Sequence, residues 1–531
     1  MSEYDIIVIG GGSGGSAVAG RLCEDGSLSV CVIEAGSANT SWRIKAPGMM
    51  PFIPKNANWR FDTVPQKGLN GRTGFQPRGK GMGGSSAINA MVYIRGCAWD
   101  YDNWAALGCD GWAYKDVLPY FKRAEGNVRG GDEFHGGDGP LSVSDQLWPN
   151  PGSLDFVEAG AELQLPRSDD FNGAQFEGVG LYQVTQRKGE RWTSARAYVD
   201  AHRDAGRLSV ETGALVEKII IENGRAVGVQ VRQGLFGSRR VIKARKAVIL
   251  SAGAFGTPQT LMLSGIGPAN HLKSHGINVV RDCPAVGSDL QDHIDYVVGV
   301  ETGGTVFSGN NLSTIKKTAG NVLQWWKDRT GGLTTPYAEA GGFAKSSPEK
   351  AVPDVQLHFV PAILEDHGRE KVAEAGYSIH VCVLRPESRG TVRLASNDAK
   401  AAPVIDPNFL DDDRDMEVLK AGVRLVNRIT LSPSLAKHGG RDRHPTPPND
   451  EAALEALIRN RSDTVYHPVG TARMGPDADS VCDTRLRVRG VAGLYIADAS
   501  VMPRLVSGNT NAPSIMIGER CADFVKADLA A

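Results

Sequence analysis

A chain of 531 residues is too long for one hydrophobic core and calls for two or more domains. With 41% hydrophobic and 22% charged residues it has the make-up of a soluble globular protein, and a formal net charge of −1 leaves no basic footprint for nucleic acid. No apolar run approaches the ~20 residues of a membrane span.

The eight cysteines stand apart, with no C-x-x-C and no histidine at metal-ligand spacing from a cysteine pair, so no metal is expected. They read as reduced buried thiols of a cytosolic protein. The N-terminus runs straight into the first strand, which leaves no room for a signal peptide. The reading is a cytoplasmic protein, with peripheral contact at the inner face of a membrane left open.

The opening stretch, Tyr4 to Gly36, organises the rest. Ile6, Ile7, Val8 and Ile9 read as a strand buried on both faces. It empties into Gly10-Gly11-Gly12-Ser13-Gly14-Gly15, where Gly10, Gly12 and Gly15 hold the G-x-G-x-x-G spacing. Gly10 permits the tight turn, Gly12 lets backbone approach a pyrophosphate, and Gly15 lets a helix pack on the strand. The helix N-terminus, with Ser13 and Gly14, offers N–H groups and partial positive charge to phosphates. A second strand, Ser29 to Ile33, runs into Glu34 and Ala35. A carboxylate there accepts from ribose hydroxyls and repels a 2′-phosphate, which disfavours NADP. The pattern predicts dinucleotide binding, with FAD and NAD both open at this point.

A second glycine-rich stretch, Arg78 to Asn89, contains Gly83, Gly84 and Ser85 and turns apolar from Ala90 through Val92 to Ile94. That suits backbone pressed against a flat ligand. Trp104 to Glu125 is expected to be helical. Val210 to Ile221 and Val227 to Val231 read as strands of a hairpin turning at Glu222-Asn223-Gly224-Arg225. A short strand, Ala247 to Leu250, runs into small residues around Ala252, again a close backbone approach.

Leu312 to Trp326 has the spacing of an amphipathic helix, read as a packed surface helix or, alternatively, a lid or membrane-facing element. Val355 to Val360, Ser378 to Leu384 and Thr391 to Leu394 read as strands of a second-domain sheet. Pro433 to Asp450 reads as an exposed loop. Leu494 to Asp498 is a strand ending in an acid, followed by Ala499. Asn509 to Pro513 then leads an apolar helix, Ile515 to Val525, whose N-terminus can face a developing negative charge. The nucleotide domain is thus split, with the termini together.

These landmarks resemble the glucose–methanol–choline oxidoreductases over essentially the full chain. Gly79 to Asp102 is similar to the first family signature, with Met82 departing from an aliphatic, and Gly253 to Gly267 to the second, with Thr260 departing. Val286-Gly287, Leu290-Gln291-Asp292-His293, Leu384-Arg385-Pro386, Ser388-Arg389-Gly390 and His467-Pro468-Val469-Gly470-Thr471 are further landmarks.

The resemblance implies an α/β fold, α+β overall. A split Rossmann-like FAD-binding domain (1–155, 206–300 and 461–531) would accompany a substrate domain (156–205 and 301–460) with an antiparallel sheet flanked by helices. It implies FAD and hydride transfer from an alcohol to flavin N5. Ile88 stands where some relatives carry a histidine that holds FAD covalently, so FAD is expected to be non-covalent. Gly10, Gly12, Ser13, Gly14, Gly15, Glu34, Ala35, Gly83, Gly84, Ser85, Asn89, Ala90, Val92, Val216, Ala252, Asp498 and Ala499 are its expected contacts.

His467 matches the catalytic histidine and Asn511 its partner. A neutral imidazole can take the hydroxyl proton near neutral pH, whereas an amide can only donate or accept a hydrogen bond. His293 is read as structural. Tyr466 and His358 are read as substrate contacts. Glu339 matches a position that contacts the cationic end of choline in choline-acting members, or is a paired structural carboxylate. The choline-dehydrogenase-like branch, with bacterial aliphatic alcohol and polyethylene glycol dehydrogenases, is nearest. A medium or larger primary alcohol and a quinone-type acceptor are therefore expected. Oxidase, choline dehydrogenase and hydroxynitrile lyase are the alternatives.

Overall fold

The computed structural model describes residues 2–24, 26–234, 237–303, 306–309, 312–370, 372–445 and 449–531, without the side chains of 312–318 and 367. Two seven-stranded sheets carry the architecture. The first is laid down by the apolar runs that open and close the chain. Ser2–Ile9 sits between Val30–Ile33 and Ser238–Leu250, all parallel, with Leu208–Glu211 beyond Val30–Ile33. Leu494–Ile496 pairs in parallel with the end of Ser238–Leu250, so the C-terminal segment joins the N-terminal strand in one sheet. Ile6, Ile7 and Val8 are completely buried, as a parallel strand covered on both faces must be. The helices Ser13–Leu22 and Asn511–Ala530 pack against one another over this sheet.

The second sheet is antiparallel, in the order Arg441–Asp442, Ile294–Glu301, Gly376–Val383, Val355–Val360, Ala340–Ala344, Gly178–Leu181. Alternation assigns its faces. Leu357, Phe359, Ile379 and Val381 enter one core with Leu419, Val423 and Val426 of the helix Asp413–Leu431. Each fully buried side chain of this kind contributes roughly 1.5–3 kcal/mol. The alternate residues Gln356, His358, His380 and Asp295 look the other way, toward the first sheet. His358 lies opposite His380 and His380 opposite Val297, while Gln356 and Asp295 flank Cys382 in the next row.

Several sequence expectations change. Trp104 to Glu125 is two helices, Ala98–Ala106 and Tyr114–Ala124, because Gly108 and Gly111 take φ of +89° and +80° between them. Val210 to Ile221 breaks at Gly213 (φ +66°) into two strands. The hairpin turns at Asn223 and Gly224, both at positive φ as a tight hairpin requires. Thr391–Arg393 pairs only with Val404–Asp406, apart from the second sheet. Pro433 to Asp450 is not all loop: it holds a helical turn, Pro433–Ala436, and the edge strand Arg441–Asp442, with 446–448 outside the described residues. The helix Leu312–Asp328 buries Trp325 against Trp42 but leaves Leu323 73% and Trp326 50% exposed. The side chains of Leu312 and Ile315 lie outside the described residues.

Candidate active site

One cavity of about 1470 Å³ lies between the two sheets. Small-molecule pockets are ordinarily ~300–1,000 Å³, so this one has room for a cofactor and a second ligand. Gly10, Gly12, Ser13, Gly14, Glu34 and Ala35 line one end, with Gly84, Ser85, Asn89, Ala90 and Val92 beside them. Val216, Ala252, Asp498, Ala499 and Asn511, the last bonded to Ser13, complete that part, while Tyr466, His467 and His358 also line the cavity.

Gly15 and Gly83 are behind the wall rather than on it. A Cβ on Gly15 would fall 2.0 Å from the Gly10 carbonyl oxygen, and Gly83 N–H donates to Gly11 O at 2.8 Å. At Gly12 a Cβ would meet only Gly84 Cα, at 3.9 Å, so this backbone faces open cavity. The helix that starts after Gly12 has no side-chain cap, so its first N–H groups are available to an anion. Glu34 does more than offer a ribose contact. Its carboxylate accepts from Gly11 N (2.9 Å), Gly36 N (2.8 Å) and Gly81 N (2.9 Å), which ties the two glycine loops together. Asp498 accepts from Gly253 N at 2.9 Å and Thr257 Oγ1 at 2.6 Å, closing the other side.

The second-sheet end is built around His467. Its backbone N–H donates to Asp292 Oδ1 at 2.8 Å, and Thr464 Oγ1 donates to Asp292 Oδ2 at 2.6 Å. Burial pushes the Asp292 carboxyl up to about 6. Tyr466, just before, has φ +75° and its carbonyl accepts from Arg78 Nη2 at 2.7 Å, so a strained residue is held by a buried cation. Burial holds Arg78 down at about 10.

His293 proves to be a direct partner of His467, not only a structural residue. The two Nδ1 atoms are 2.9 Å apart, and His293 Nε2 is 3.0 Å from the Leu384 carbonyl oxygen. A carbonyl only accepts, so His293 carries its proton on Nε2. Burial pushes this ring down to about 3, leaving Nδ1 as a lone pair. His467 must therefore donate from Nδ1, and its Nε2 is the lone-pair nitrogen. Burial, reinforced by His293, His358 and Arg78, holds His467 well below the usual histidine range.

Asn511 opens the C-terminal helix, and its Oδ1 accepts from Ser13 Oγ at 2.7 Å, which leaves Nδ2 as a donor. The amide on His467 is instead Asn509, whose Nδ2 is 3.1 Å from Nε2. Of the two sequence readings of Glu339, substrate contact or paired structural carboxylate, its position is that of the second. It is buried outside the cavity wall, accepting from Asn150 N (2.6 Å), Ser153 Oγ (2.7 Å) and Thr335 Oγ1. Two second-sheet carboxylates do line the cavity, Asp463 and Asp295, the latter held at 2.6 Å by His380 Nδ1. Sequence reasoning missed Asn509, Asp295, and Arg191, which donates to Asn89 O at 2.6 Å and Oδ1 at 2.8 Å. The available signals were Asp295 two places after His293 and Asn509 two before Asn511.

A dinucleotide cradle shares one cavity with a neutral buried imidazole, an arrangement suited to an oxidoreductase. The chain belongs to the GMC oxidoreductase family, whose models match residues 4–295 and 386–518. It is 45% identical to an alcohol dehydrogenase (acceptor) of Pseudomonas putida over 99% of this chain and 97% of that one. It is 39% identical to the mitochondrial choline dehydrogenase of Homo sapiens, over 99% and 90%. Among solved structures, pyridoxine 4-oxidase from Mesorbium loti superposes with a TM-score of 0.87 at 30% identity over 98% of each chain. Formate oxidase superposes with a TM-score of 0.92 at 26% identity over 99% and 98%.

The protein is an FAD-dependent alcohol oxidoreductase with a small-molecule substrate and an electron acceptor. The residues present fit FAD: uncapped N–H groups at Ser13–Leu22, glycines open to the cavity, and Glu34 at the loop junction. Among the described residues, no helix is long and apolar enough to cross a membrane.

Proposed function

We propose that the protein oxidises a neutral primary alcohol of medium or larger size to its aldehyde, with His467 as base and a quinone-type compound as final acceptor. One observation carries the chemistry: the chain from His467 through His293 to the Leu384 carbonyl keeps a lone pair on His467 Nε2 in the cavity wall. As the hydroxyl proton moves to Nε2, charge builds on the alcohol oxygen and the adjacent carbon gives up hydride. Aldehyde, proton and hydride together account for the alcohol. FAD, when bound, supplies the two-electron acceptor. Asn511 Nδ2 donates to the alcohol oxygen as its charge develops. With Ile88 at the position discussed above, FAD is held non-covalently by the glycine loops, Glu34 and Asp498.

The pH profile follows from the sign of the shift. His467 acts only when neutral, and it is held below the usual histidine range, so protonation of the free enzyme begins only in acid. kcat/KM is expected to be level through neutrality and to fall about tenfold per pH unit beneath an inflection lying under 6.5. An inflection at or above 6.5 in a steady-state profile would contradict this.

The wall also speaks to substrate charge. Among the carboxylates at this end, Asp295 is closed onto His380, Glu365 is held by His444 and Arg461, and Glu339 faces into the protein, so none of these three stands ready for a quaternary ammonium. Val297, Val360, Leu364 and Ala338 give the same wall an apolar character. Uncharged primary alcohols should therefore show the higher kcat/KM when compared with choline under one acceptor. A clear preference for choline would overturn the neutral-substrate reading.

A further inference from the structure

We infer that Asn509 is a positioning residue that keeps His467 in its proton-accepting form until an alcohol arrives, an inference that rests on His467 being the base. Asn509 follows Gly508, whose φ of +125° and close approach to Ile94 Cγ2 (2.6 Å from a would-be Cβ) confine that turn to glycine. The turn brings Asn509 to the cavity wall. Its amide is oriented by the second sheet: Gln356 Nε2 donates to Asn509 Oδ1 at 3.2 Å. With the oxygen so engaged, the group 3.1 Å from His467 Nε2 is the Nδ2 donor. His358, two residues after Gln356 on the same sheet face, lines the cavity beside it. Two independent geometries thus agree. The His293 side assigns the proton to His467 Nδ1, and the Asn509 side presents a donor to Nε2.

An N–H at Nε2 stabilises the lone-pair form and cannot accept from a protonated ring. Protonating His467 without substrate would set two donors against each other, whereas its Nδ1 partner, His293, would be undisturbed. The other charged or titratable groups around the ring are His293 at the head of Ile294–Glu301, His358 on Val355–Val360, and Arg78 from the second glycine stretch. Asp292 holds the backbone N–H of His467, and the His380–Asp295 pair lies behind His358. Among the described residues, the group hydrogen-bonded to Nε2 is the Asn509 amide. An entering alcohol takes the lone pair with its own O–H, and the displaced amide N–H is left beside the oxygen that gains charge.

The test is the pH dependence of kcat/KM for a saturated primary alcohol, measured on holoenzyme carrying Asn509→Asp or Asn509→Ala, with bound flavin read from the visible spectrum. In Asn509→Asp a carboxylate accepts from the imidazolium, and the acid limb should move up by about one to three pH units. In Asn509→Ala the opposing donor is gone. The limb should move up by less, and the plateau should fall about 5- to 10-fold for one lost hydrogen bond. If Asn509→Asp does not fold, the limb of Asn509→Ala decides. Variants that retain flavin and the wild-type limb, changing KM alone, would overturn the inference. Failure of the base assignment is seen separately, as His467→Ala reducing flavin at the wild-type rate.

Discussion

Replacing His467 with alanine is expected to slow alcohol-dependent flavin reduction by about 10²–10⁴-fold while the purified protein stays yellow. The expectation follows from what the ring touches. Its two nitrogens contact His293 and Asn509, and neither reaches the glycine loops or Glu34. Truncation leaves His293 Nδ1 and the Asn509 amide without their partner, at about 1–3 kcal/mol for a buried group. A lowered melting temperature with full flavin content is therefore compatible with the assignment. Rapid mixing with alcohol under nitrogen measures the rate directly. If the variant loses its flavin instead, His467 is a structural residue and the base must be sought elsewhere.

The second large effect is expected within the first glycine loop and at its contact with the second. Gly15→Ala drives a methyl group to 2.0 Å from the Gly10 carbonyl oxygen, and Gly84→Ala drives one to 2.7 Å from Gly12 Cα. Gly84 also has φ +51°, unfavourable to any side chain. Backbone cannot give way as a flexible side chain can, so the strand-to-helix turn must open and the pyrophosphate cradle with it. Both variants should be purified with little or no flavin, as the proposed non-covalent holding of FAD requires. Gly71→Ala serves as control: it too has positive φ (+78°), but no atom lies within 4 Å of the added carbon. The visible-to-ultraviolet absorbance ratio separates these outcomes, and full flavin in Gly15→Ala would count against the cradle as drawn.

The parts of this protein that were legible in the sequence are those fixed by neighbours along the chain. The strand before Gly10, the helix after it and Glu34 at the next strand's end form a local unit, and the fold has each of them. His467 was found by its motif. What closes across the fold was not legible. His293 meets His467 over a separation of 174 residues, and no spacing rule reports that. The choice between two asparagines two positions apart depends on which one Gln356 and Ser13 reach from other elements. Glu339 resembled a substrate carboxylate, yet Asn150, Ser153 and Thr335 turn it inward. Asp295 instead looks into the cavity because strand alternation puts it on the face shared with His380 and His358. Helix lengths failed where glycines at positive φ interrupted an otherwise continuous pattern, as at Gly108 and Gly111.

The central claim is that this cavity oxidises uncharged primary alcohols and hands the electrons to a quinone-type acceptor. The most direct test is an anaerobic visible spectrum of the purified protein, titrated with primary alcohols of increasing chain length and then mixed with a soluble quinone or with air. The account predicts bleaching of the flavin by the alcohols, rapid recovery with quinone and slow recovery in air. Rapid recovery in air with hydrogen peroxide would make the protein an oxidase, and a spectrum unmoved by every alcohol would contradict the account outright.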